Sequence, residues 1–274
     1  MSFKFNKLIT TEYVIASEKI GRAFDGFTFA YLADLHDVCV GGNNSLVKEN
    51  IGKRRPDAIL LGGDMITERK RGVHDTECGN ALDLVLRLAE MAPVYYSIGN
   101  HEARWKDPER RHTESFDDFK NTLESAGVRF LDNRSVKLHK GNEVIRLTGL
   151  SLPLRYFGRG HDALAASVVS RLAGDPDPEH FQILLAHTPT YHDNYDEWGA
   201  DLTLSGHYHG GQMRLPVLGG VISTGWKLFP AYDKGLYQMQ NGKMIVSAGL
   251  GTHTIPLRFN NPPEAVYITL TRKA

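Results

Sequence analysis

The chain has 274 residues, of which 32 are lysine or arginine and 32 are aspartate or glutamate, so its formal net charge is +0. This balance excludes the bulk electrostatic attraction to nucleic acid or anionic lipid that strongly basic proteins have. Cys39 and Cys78 are too few for a disulfide framework or a cysteine-based zinc site.

The chain begins with a polar lead-in, in which residues 13–15 suggest one edge strand. Apolar and aromatic runs predict further strands, at residues 27–33, 57–61, 94–96, 128–131, 135–139, 144–150, 181–186 and 202–205, with strands and turns from there to Ala274. Apolar periodicity and capping signals predict helices, near residues 45–51, 80–91, 115–126 and 162–172. Basic residues from Arg104 to Arg111 are predicted to lie in a loop.

Strands that alternate first with helices and then with one another are typical of layered α/β proteins. The predicted fold class is α/β: a four-layer α/β/β/α sandwich of two mixed β-sheets flanked by helices. No linker, repeat or low-complexity segment interrupts the sequence, so residues 1–274 are predicted to form a single domain.

The N-terminal residues lead into no apolar segment of the kind found in signal peptides. No uninterrupted apolar run reaches the ~18 residues that a membrane-spanning helix needs. We therefore expect a soluble, cytoplasmic protein without a transmembrane segment, which could still touch a membrane surface transiently.

Five predicted strands end in turns that carry side chains able to bind metals or move protons. These are Asp34 and His36, then Asp64, then Asn100 and His101, then His187, and finally His207 and His209. A single histidine at a strand end is more often a satisfied core or surface residue, but five such ends in one chain favour a shared site. Residues two apart at a strand end point the same way, so neighbours such as Asp34 and His36 are expected to act as pairs.

The predicted donor set has a recognisable chemistry. It offers seven oxygen and nitrogen donors besides His101, which is more than one ion needs and suits two ions that share a bridging carboxylate. The imidazole content favours Mn, Fe or Zn over Ca or bare Mg.

Five short motifs, taken in chain order, resemble those of the calcineurin-like metallophosphoesterase superfamily. They are Asp34-Leu35-His36, Gly63-Asp64, Gly99-Asn100-His101-Glu102, His187 and Gly206-His207-Tyr208-His209. Two C-terminal segments, 210–216 and 249–264, resemble a narrower bacterial branch. That branch contains phosphodiesterases and hydrolases of lipid- or cell-envelope-related pyrophosphates, such as UDP-diacylglucosamine hydrolases.

The resemblance implies a dinuclear metal-dependent phosphoester hydrolase, with a phosphodiester or a pyrophosphate as substrate. It places Asp34, His36 and His209 on one metal, Asn100, His187 and His207 on the other, and Asp64 between them. Two divalent ions are expected as cofactors, manganese first and iron, zinc or magnesium as alternatives. The implied mechanism is in-line attack on phosphorus by a hydroxide that bridges the metals.

Several further residues are assigned supporting roles. His101 is expected to be the general acid that protonates the leaving group, and Glu102 could orient its ring or be a solvated turn carboxylate. Asp37 could enter the same surroundings, and Arg104 and Arg258 could hold substrate phosphates. The segment 226–232 could form an apolar lip for a lipid or nucleoside, or could simply pack under a long loop.

Two other functions compete with hydrolysis. The first is a catalytically inactive scaffold that uses the same fold to bind proteins, against which the intact ligand set argues. The second is a nucleic-acid phosphoesterase, which the neutral charge does not support, so no nucleic acid is expected as a partner. The chain also lacks a Gly-x-Ser-x-Gly elbow and a Gly-x-x-x-x-Gly-Lys-Ser/Thr loop.

Overall fold

The structure is a computed structural model. It describes residues 4–273 except 69–75, 111–114, 158–159, 161, 212, 216–218, 222–227 and 253–257. Arg111 of the predicted basic loop and the first part of the predicted apolar lip, residues 226 and 227, lie outside this set.

The strands are numbered in chain order. The first nine are β1 (Lys4–Phe5), β2 (Ile9–Ser17), β3 (Thr28–Leu32), β4 (Cys39–Val40), β5 (Ala58–Leu61), β6 (Thr67–Glu68), β7 (Thr76–Glu77), β8 (Val94–Tyr96) and β9 (Arg129–Phe130). The others are β10 (Arg134–Lys140), β11 (Glu143–Leu150), β12 (Phe181–Ala186), β13 (Leu202–Ser205), β14 (Arg214–Leu215), β15 (Gly219–Gly220), β16 (Gly235–Gln238), β17 (Lys243–Val246) and β18 (Glu264–Arg272).

The α-helices are α1 (Ser45–Arg54), α2 (Gly79–Ala89), α3 (Asn100–Trp105), α4 (Phe116–Ser125), α5 (Ala166–Ala173) and α6 (His192–Trp198). Ser115 caps the start of α4, because its hydroxyl accepts from the Asp118 amide at 3.3 Å. Within the described residues, no helix combines the length and the apolar character needed to cross a lipid bilayer.

Two mixed six-stranded sheets form the centre of the described fold. The first has the order β2-β18-β3-β5-β8-β9 and the second has the order β10-β11-β12-β13-β17-β16. Strands β3, β5, β8 and β9 run parallel in the first sheet, as do β11, β12, β13 and β17 in the second. The carboxyl ends of the parallel strands therefore meet at one edge of each sheet.

Three apolar clusters show how the layers pack. One cluster lies between the sheets and contains Phe29 and Leu60 from the first and Leu185 and Leu204 from the second. Another joins the outer face of the first sheet to α1, α2 and α4. The third joins the outer face of the second sheet to α5 and α6. This arrangement confirms the predicted α/β/β/α layering, and the core shared by both sheets is what we expect of a single domain.

Three helices differ from the sequence-based prediction. The first two residues of the predicted basic loop belong instead to α3, whose start is fixed because Glu102 accepts from the Gly99 amide at 2.9 Å. This is half of a capping box, since the glycine at the N-cap has no side chain to accept in return. Helix α5 starts at Ala166 rather than near residue 162. Helix α6 was not predicted, since its seven residues are too few to show a clear helical period.

Candidate metal centre

The candidate site forms where the carboxyl-end edges of the two sheets meet. The turns after β3, β5 and β8 come from the first sheet, and those after β12 and β13 come from the second. Two hydrogen bonds join them: the His187 ring contacts the Gly62 carbonyl at 2.8 Å, and the His207 amide donates to the Asp34 carboxylate at 3.0 Å. The turns are therefore tied to each other and not only to their own strands.

Most of the predicted metal ligands lie in turns with left-handed backbone conformation. Positive φ angles are found at Asp34 (53°), His36 (51°), Asp64 (51°), His207 (65°) and His209 (49°). The prediction that alternation along an extended strand aims the paired residues is therefore wrong, because these residues lie beyond the strand ends. Such angles are uncommon for residues other than glycine and concentrate at functional sites.

The predicted ligands converge in space. Three groups of side chains could each hold a metal ion, with ligand atoms within 4.8 Å of one another: Asp34, His36 and His209; Asp64, His187 and His207; and His36, Asp64 and His101. Asp64 Oδ2 lies 3.1 Å from His187 Nε2, 3.9 Å from His36 Nε2 and 4.0 Å from His101 Nε2. Asp64 is thus central to the cluster, and all of these residues except His207 are buried.

The electrostatic field of the cluster favours a positive charge beside Asp64. Burial works to lower the pKa of His187, but the carboxylates of Asp64 and Asp34 outweigh it and raise the pKa to about 10. Burial also works to raise the pKa of Asp64, yet the imidazoles of His187 and His101 hold it well below its usual range. The position beside Asp64 therefore attracts a proton strongly, and a divalent cation would satisfy the same field.

The donor chemistry fits a cation for a second reason. His187 Nδ1 faces the Gly62 carbonyl at 2.8 Å, so the ring must carry its hydrogen on that nitrogen. At neutral pH the ring also carries a hydrogen on Nε2, which faces Asp64 Oδ2 3.1 Å away, and a cation bound beside Asp64 would replace that hydrogen. A histidine fixed through Nδ1 in this way is the usual arrangement for a metal ligand.

Asn100 begins α3 beside this cluster. Its amide group lies 2.9 Å from His207 Nδ1 and 3.2 Å from the guanidinium nitrogens of Arg104. Hydrogen bonding to both neighbours places the amide nitrogen toward His207. The opposite orientation would aim the amide oxygen at the same point, which is the orientation that a cation would select.

The His101 ring differs from that of His187 in which nitrogen faces a backbone donor. The backbone N–H of Glu68 donates to His101 Nδ1 at 2.9 Å, so the neutral ring carries its hydrogen on Nε2. That nitrogen lies 4.0 Å from Asp64 Oδ2. His101 therefore presents a donor to the cluster, whereas His187 would turn a lone pair toward a bound cation.

Glu102 is fully buried and joins two of the turns. Its carboxylate accepts from the backbone amides of Asp64 at 2.9 Å, Met65 at 2.8 Å and Gly99 at 2.9 Å, and from the Tyr96 hydroxyl at 2.7 Å. The expectation that Glu102 orients the His101 ring is thereby corrected, because these donors occupy its oxygens. It fixes the backbone that carries Asp64.

Glu102→Gln is expected to lower the free energy of unfolding by about 3 kcal/mol, because the new NH₂ group would face buried donors. Urea denaturation of the metal-free protein measures this loss. The matched control is Glu124→Gln, an exposed partner of Lys120 four residues away, for which about 0.3–0.5 kcal/mol is expected. Equal losses in the two variants would contradict the role assigned to Glu102.

Two other residues with predicted roles, Asp37 and Arg258, direct their side chains at backbone groups instead of at the histidines of the cluster. Asp37 accepts from the Ala81 amide at 2.8 Å, so its carboxylate caps α2 rather than facing the histidines. Burial raises the pKa of Asp37 to about 6. The Arg258 guanidinium donates to the backbone carbonyls of Ala248 at 2.6 Å and Gly251 at 2.8 Å. Its donors are thus already used, which argues against the substrate-binding role expected for Arg258.

The backbones of two turns, at Gly63 and at Gly99, approach each other closely. A Cβ atom built on Gly63 would lie 2.3 Å from the Gly99 nitrogen and 2.6 Å from its Cα. The φ angle of Gly63 is +89°, which is also unfavourable for other residues. Both backbones are fixed by the carboxylate of Glu102, so neither turn can easily move apart.

Gly63→Ala is therefore expected to destabilise the protein by clearly more than backbone strain alone. Gly127→Ala is the control, because Gly127 has φ +90° but no atom within 4 Å of an added Cβ. Strain alone should cost about 1–2 kcal/mol in the control. Thermal or urea unfolding of both variants gives the difference, and a difference near zero would mean that the turns separate freely.

An apolar cavity of about 510 Å³ opens beside Tyr208, which stands between His207 and His209 in the sequence. Its lining residues are Pro189, Thr190, His192, Tyr208, Leu228, Phe229, Pro230, Ala231 and Tyr232. Among the described residues, no lysine, arginine, aspartate or glutamate lines it. The described part of the predicted lip, residues 228–232, therefore lines a cavity instead of packing under a loop.

The hydrogen bond from the Glu68 backbone amide to the His101 ring left no sign in the sequence, because almost every residue has such an amide. The role of Asn261, whose side-chain amide donates to the His209 carbonyl at 2.6 Å, was also missed. The C-terminal motif that contains Asn261 is visible in the sequence, but its contacts are not.

Comparisons with known proteins find relatives of this chain in sequence and in fold. The profile of the calcineurin-like phosphoesterase family matches residues 27–211. The chain is 28% identical over 272 residues to the metallophosphoesterase YkuE of Bacillus subtilis, a match that covers 95% of this chain and 85% of that protein. It is 28% identical over 253 residues to phosphodiesterase YaeI of Escherichia coli, covering 89% and 82%. The solved structure of phosphopantetheinyl hydrolase from Mycobacterium tuberculosis shares the fold, with a TM-score of 0.50 at 15% identity over 82% of this chain and 90% of that one.

Proposed function

The chain belongs to the calcineurin-like phosphoesterase family and is a metal-dependent phosphohydrolase, and on that premise we propose that it hydrolyses phosphodiesters or pyrophosphates. The observation that carries the proposal is the buried cluster around Asp64, with a proton-bearing His101 at its margin. Among the relatives, YaeI is named a phosphodiesterase. A cytoplasmic location stays a prediction.

The family implies divalent metal ions, and we assign the ligands to two of them. Asp34, His36 and His209 would hold one ion, Asn100, His187 and His207 the other, and Asp64 would contact both. Two of the groups of converging side chains support this division. When bound, the ions would lower the pKa of water and neutralise charge on the phosphoryl oxygens. Manganese suits this mixture of imidazole and carboxylate donors.

His101 would act on the leaving group. As the bond between phosphorus and the leaving oxygen breaks, that oxygen gains negative charge and needs a hydrogen-bond donor or a proton. His101 Nε2–H is the donor on this side of the cluster, and the Glu68 amide keeps the hydrogen there. The His101 backbone amide also donates to Asp64 Oδ1 at 2.8 Å, which holds the carboxylate inward.

Arg104 would bind a phosphoryl oxygen of the substrate. Its guanidinium lies 3.2 Å from the Asn100 amide, at the edge of the cluster. Burial lowers the pKa of Arg104, and the charges of Asp64 and Glu68 oppose that shift. An arginine keeps its charge in proteins, so a fixed positive group adjoins the place where phosphate would bind.

The cavity beside Tyr208 supports a substrate with a sizeable uncharged group. Its lining is mainly aromatic and aliphatic, which suits an apolar or aromatic substituent better than a second phosphate. A diester, whose phosphorus carries two such substituents, would use this space, while inorganic pyrophosphate would not. A lipid- or envelope-related substrate is compatible with the cavity.

A panel of substrates tests the proposed function. The metal-free protein is reloaded separately with Mn, Fe, Zn and Mg and assayed on bis-p-nitrophenyl phosphate, p-nitrophenyl phosphate, a UDP-sugar, a lipid pyrophosphate and single-stranded DNA. We expect hydrolysis of the diester or a pyrophosphate to exceed that of the monoester, with manganese most effective. Absence of both bound metal and hydrolysis would favour the scaffold alternative, and preferred cleavage of DNA would favour the nuclease.

A further inference from the structure

The cavity beside Tyr208 is built from two parts of the chain. Its floor lies in the turns after β12 and β13, which also carry predicted metal ligands, and consists of Pro189, Thr190 and Tyr208. Its wall consists of residues 228–232, which lie between the β14–β15 hairpin and β16. The separation of wall and floor sets the size of group that the cavity accepts, so the contacts that fix this separation matter for substrate choice.

The wall has a strained backbone. Phe229 has a φ angle of +47° and Tyr232 one of +58°, which are uncommon for bulky side chains. Such conformations persist only where the surroundings fix them. The Phe229 amide donates to the Val221 carbonyl at 2.9 Å. The Tyr232 ring lies 4.1 Å from the ring of His192 and 4.9 Å from that of Tyr237, measured between centroids.

Asp233 follows the wall directly and fixes its end. The residue is buried, and its Oδ2 accepts from the Gly220 amide at 2.5 Å and from Arg214 Nη1 at 2.8 Å. Its Oδ1 accepts from the Lys234 amide at 2.6 Å. Hydrogen bonds to an ionised carboxylate are stronger than those between neutral groups. One side chain therefore joins the end of the wall to both strands of the β14–β15 hairpin.

Arg214 extends this connection to the floor. Its Nη1 also donates to the Gly210 carbonyl at 2.9 Å, and the two hydrogens of that nitrogen can serve both acceptors. Gly210 follows His209 and lies in the same turn as Tyr208. Asp233, Arg214 and Gly210 thus form a continuous polar link between the wall of the cavity and the turn that forms its floor.

Close backbone packing holds the hairpin against the same turn. A Cβ built on Gly211 would lie 2.5 Å from the Gly220 Cα, and the φ angle of Gly211 is +75°. A Cβ on Gly220 would lie 2.8 Å both from the Gly210 carbonyl oxygen and from Asp233 Oδ2. The hairpin therefore acts as a spacer of fixed thickness. This accounts for the glycines and the arginine of the C-terminal segment 210–216.

We propose that Asp233 is a positioning residue for the substrate: by binding the Gly220 amide and Arg214, it holds the aromatic wall at a fixed distance from Tyr208 and so sets the preference for a bulky apolar substituent on phosphorus. The inference rests on the proposed function, in which the cavity receives that substituent. Asp233 would act through the wall, and the reaction at phosphorus would be left to the metal centre.

Asp233→Asn is the principal test, because it keeps the size of the side chain but removes the charge that pairs with Arg214. Methyl p-nitrophenyl phosphate and 1-naphthyl p-nitrophenyl phosphate share a leaving group and differ in the second substituent. In the wild type kcat/KM should favour the naphthyl ester, and the variant should lose about 10-fold of that preference. The loss should appear as a higher KM for the naphthyl ester, with a smaller effect on the methyl ester.

Asp196→Asn is the matched control. Asp196 is also buried and accepts from two backbone amides, those of Gly242 at 2.7 Å and Asn241 at 3.0 Å. These amides follow β16, whereas Asp233 precedes it. The control thus removes the same kind of contact at the opposite end of one strand, and it should keep the preference for the naphthyl ester.

Arg214→Met provides a second variant that leaves Asp233 in place. It should reduce the preference for the naphthyl ester by a similar factor of about 10. Combined with Asp233→Asn it should cause no further loss, because both substitutions break one contact. Arg214→Lys keeps a charge that can pair with Asp233 and should restore most of the preference.

Two measurements need no hydrolysis. Calorimetry on the manganese-loaded protein compares 1-naphthylmethylphosphonate with methylphosphonate, which have no phosphoester bond, and Asp233→Asn should lose about 10-fold of the preference for the first. Hydrogen exchange of single amides shows whether the contact is released. Asp233→Asn should speed exchange at Gly220 by about 10-fold and leave Gly242 unchanged, and Asp196→Asn should do the reverse.

The outcomes separate this inference from the proposed function. An unchanged preference in Asp233→Asn, with faster exchange at Gly220, would overturn the positioning role. Equal losses on the two esters, or a wild type that binds both phosphonates equally, would also overturn it. A wild type that prefers the naphthyl phosphonate but hydrolyses no phosphoester would refute the proposed function, and the effect of Asp233→Asn on binding would still support the inference.

Discussion

His101→Asn is expected to lower kcat by about 10²–10⁴-fold on alkyl phosphodiesters while both metal sites keep their affinity. An alkoxide is a poor leaving group, so loss of the Nε2–H donor leaves its developing charge unstabilised. On bis-p-nitrophenyl phosphate the loss should be much smaller, because nitrophenolate leaves without a proton. Steady-state kinetics on both substrates, with metal content measured in parallel, give the comparison.

Two controls make the His101 experiment decisive. His139→Asn changes an exposed histidine on β10 and should leave both rates unchanged. The pH–rate profile of the wild type then distinguishes proton transfer from hydrogen bonding: an imidazolium donor gives an alkaline limb that His101→Asn abolishes, and a neutral donor gives none. Loss of metal from His101→Asn would mean that His101 is a ligand, and equal rate losses on the two substrates would mean that it does not assist the leaving group.

Asp64→Asn is expected to abolish measurable hydrolysis and to weaken both metal sites together. The substitution preserves the size of the side chain but removes the charge that the surrounding imidazoles share, with His187 Nε2 at 3.1 Å and His36 Nε2 at 3.9 Å. The loss of affinity should exceed the roughly 10–100-fold that follows loss of an outer contact. Calorimetric titration with manganese measures it directly.

Asp57→Asn is the matched control for Asp64→Asn, since the two aspartates flank the same strand, β5, at opposite ends. The Asp57 carboxylate is exposed and accepts from the Thr28 amide at 2.8 Å. Its replacement should leave metal binding and hydrolysis intact. Weakening of only one manganese site by Asp64→Asn would contradict the assignment of Asp64 to both ions.

Much of the fold could be predicted because its signals are local. The strands β3, β5 and β12 are nearly continuous apolar runs, as buried parallel strands should be. The strongly amphipathic helices α2 and α4 were also predicted close to their observed bounds. Helices α3 and α6 escaped prediction because each is short, and α3 depends on a cap formed by Glu102.

The sequence predicted which residues form the candidate site better than it predicted how they are arranged. The strand ends identify which residues meet, since parallel strands bring their carboxyl ends to one edge. The expected reason for the pairing of Asp34 with His36 was wrong, however, because both residues adopt left-handed turns. The roles of Glu102 and Arg258 were also misjudged, since the partners of a charged side chain cannot be read from its neighbours in the chain.

The sequence by itself determined the chemistry of this protein: two carboxylates, an amide and a set of imidazoles at the ends of buried strands, in the order of one enzyme family. Only the tertiary structure decided which histidine offers a lone pair and which offers a proton. That distinction depends on single hydrogen bonds with distant backbone groups, those of Gly62 with His187 and of Glu68 with His101. Every residue has such backbone groups, so only the fold can specify which of them a ring meets.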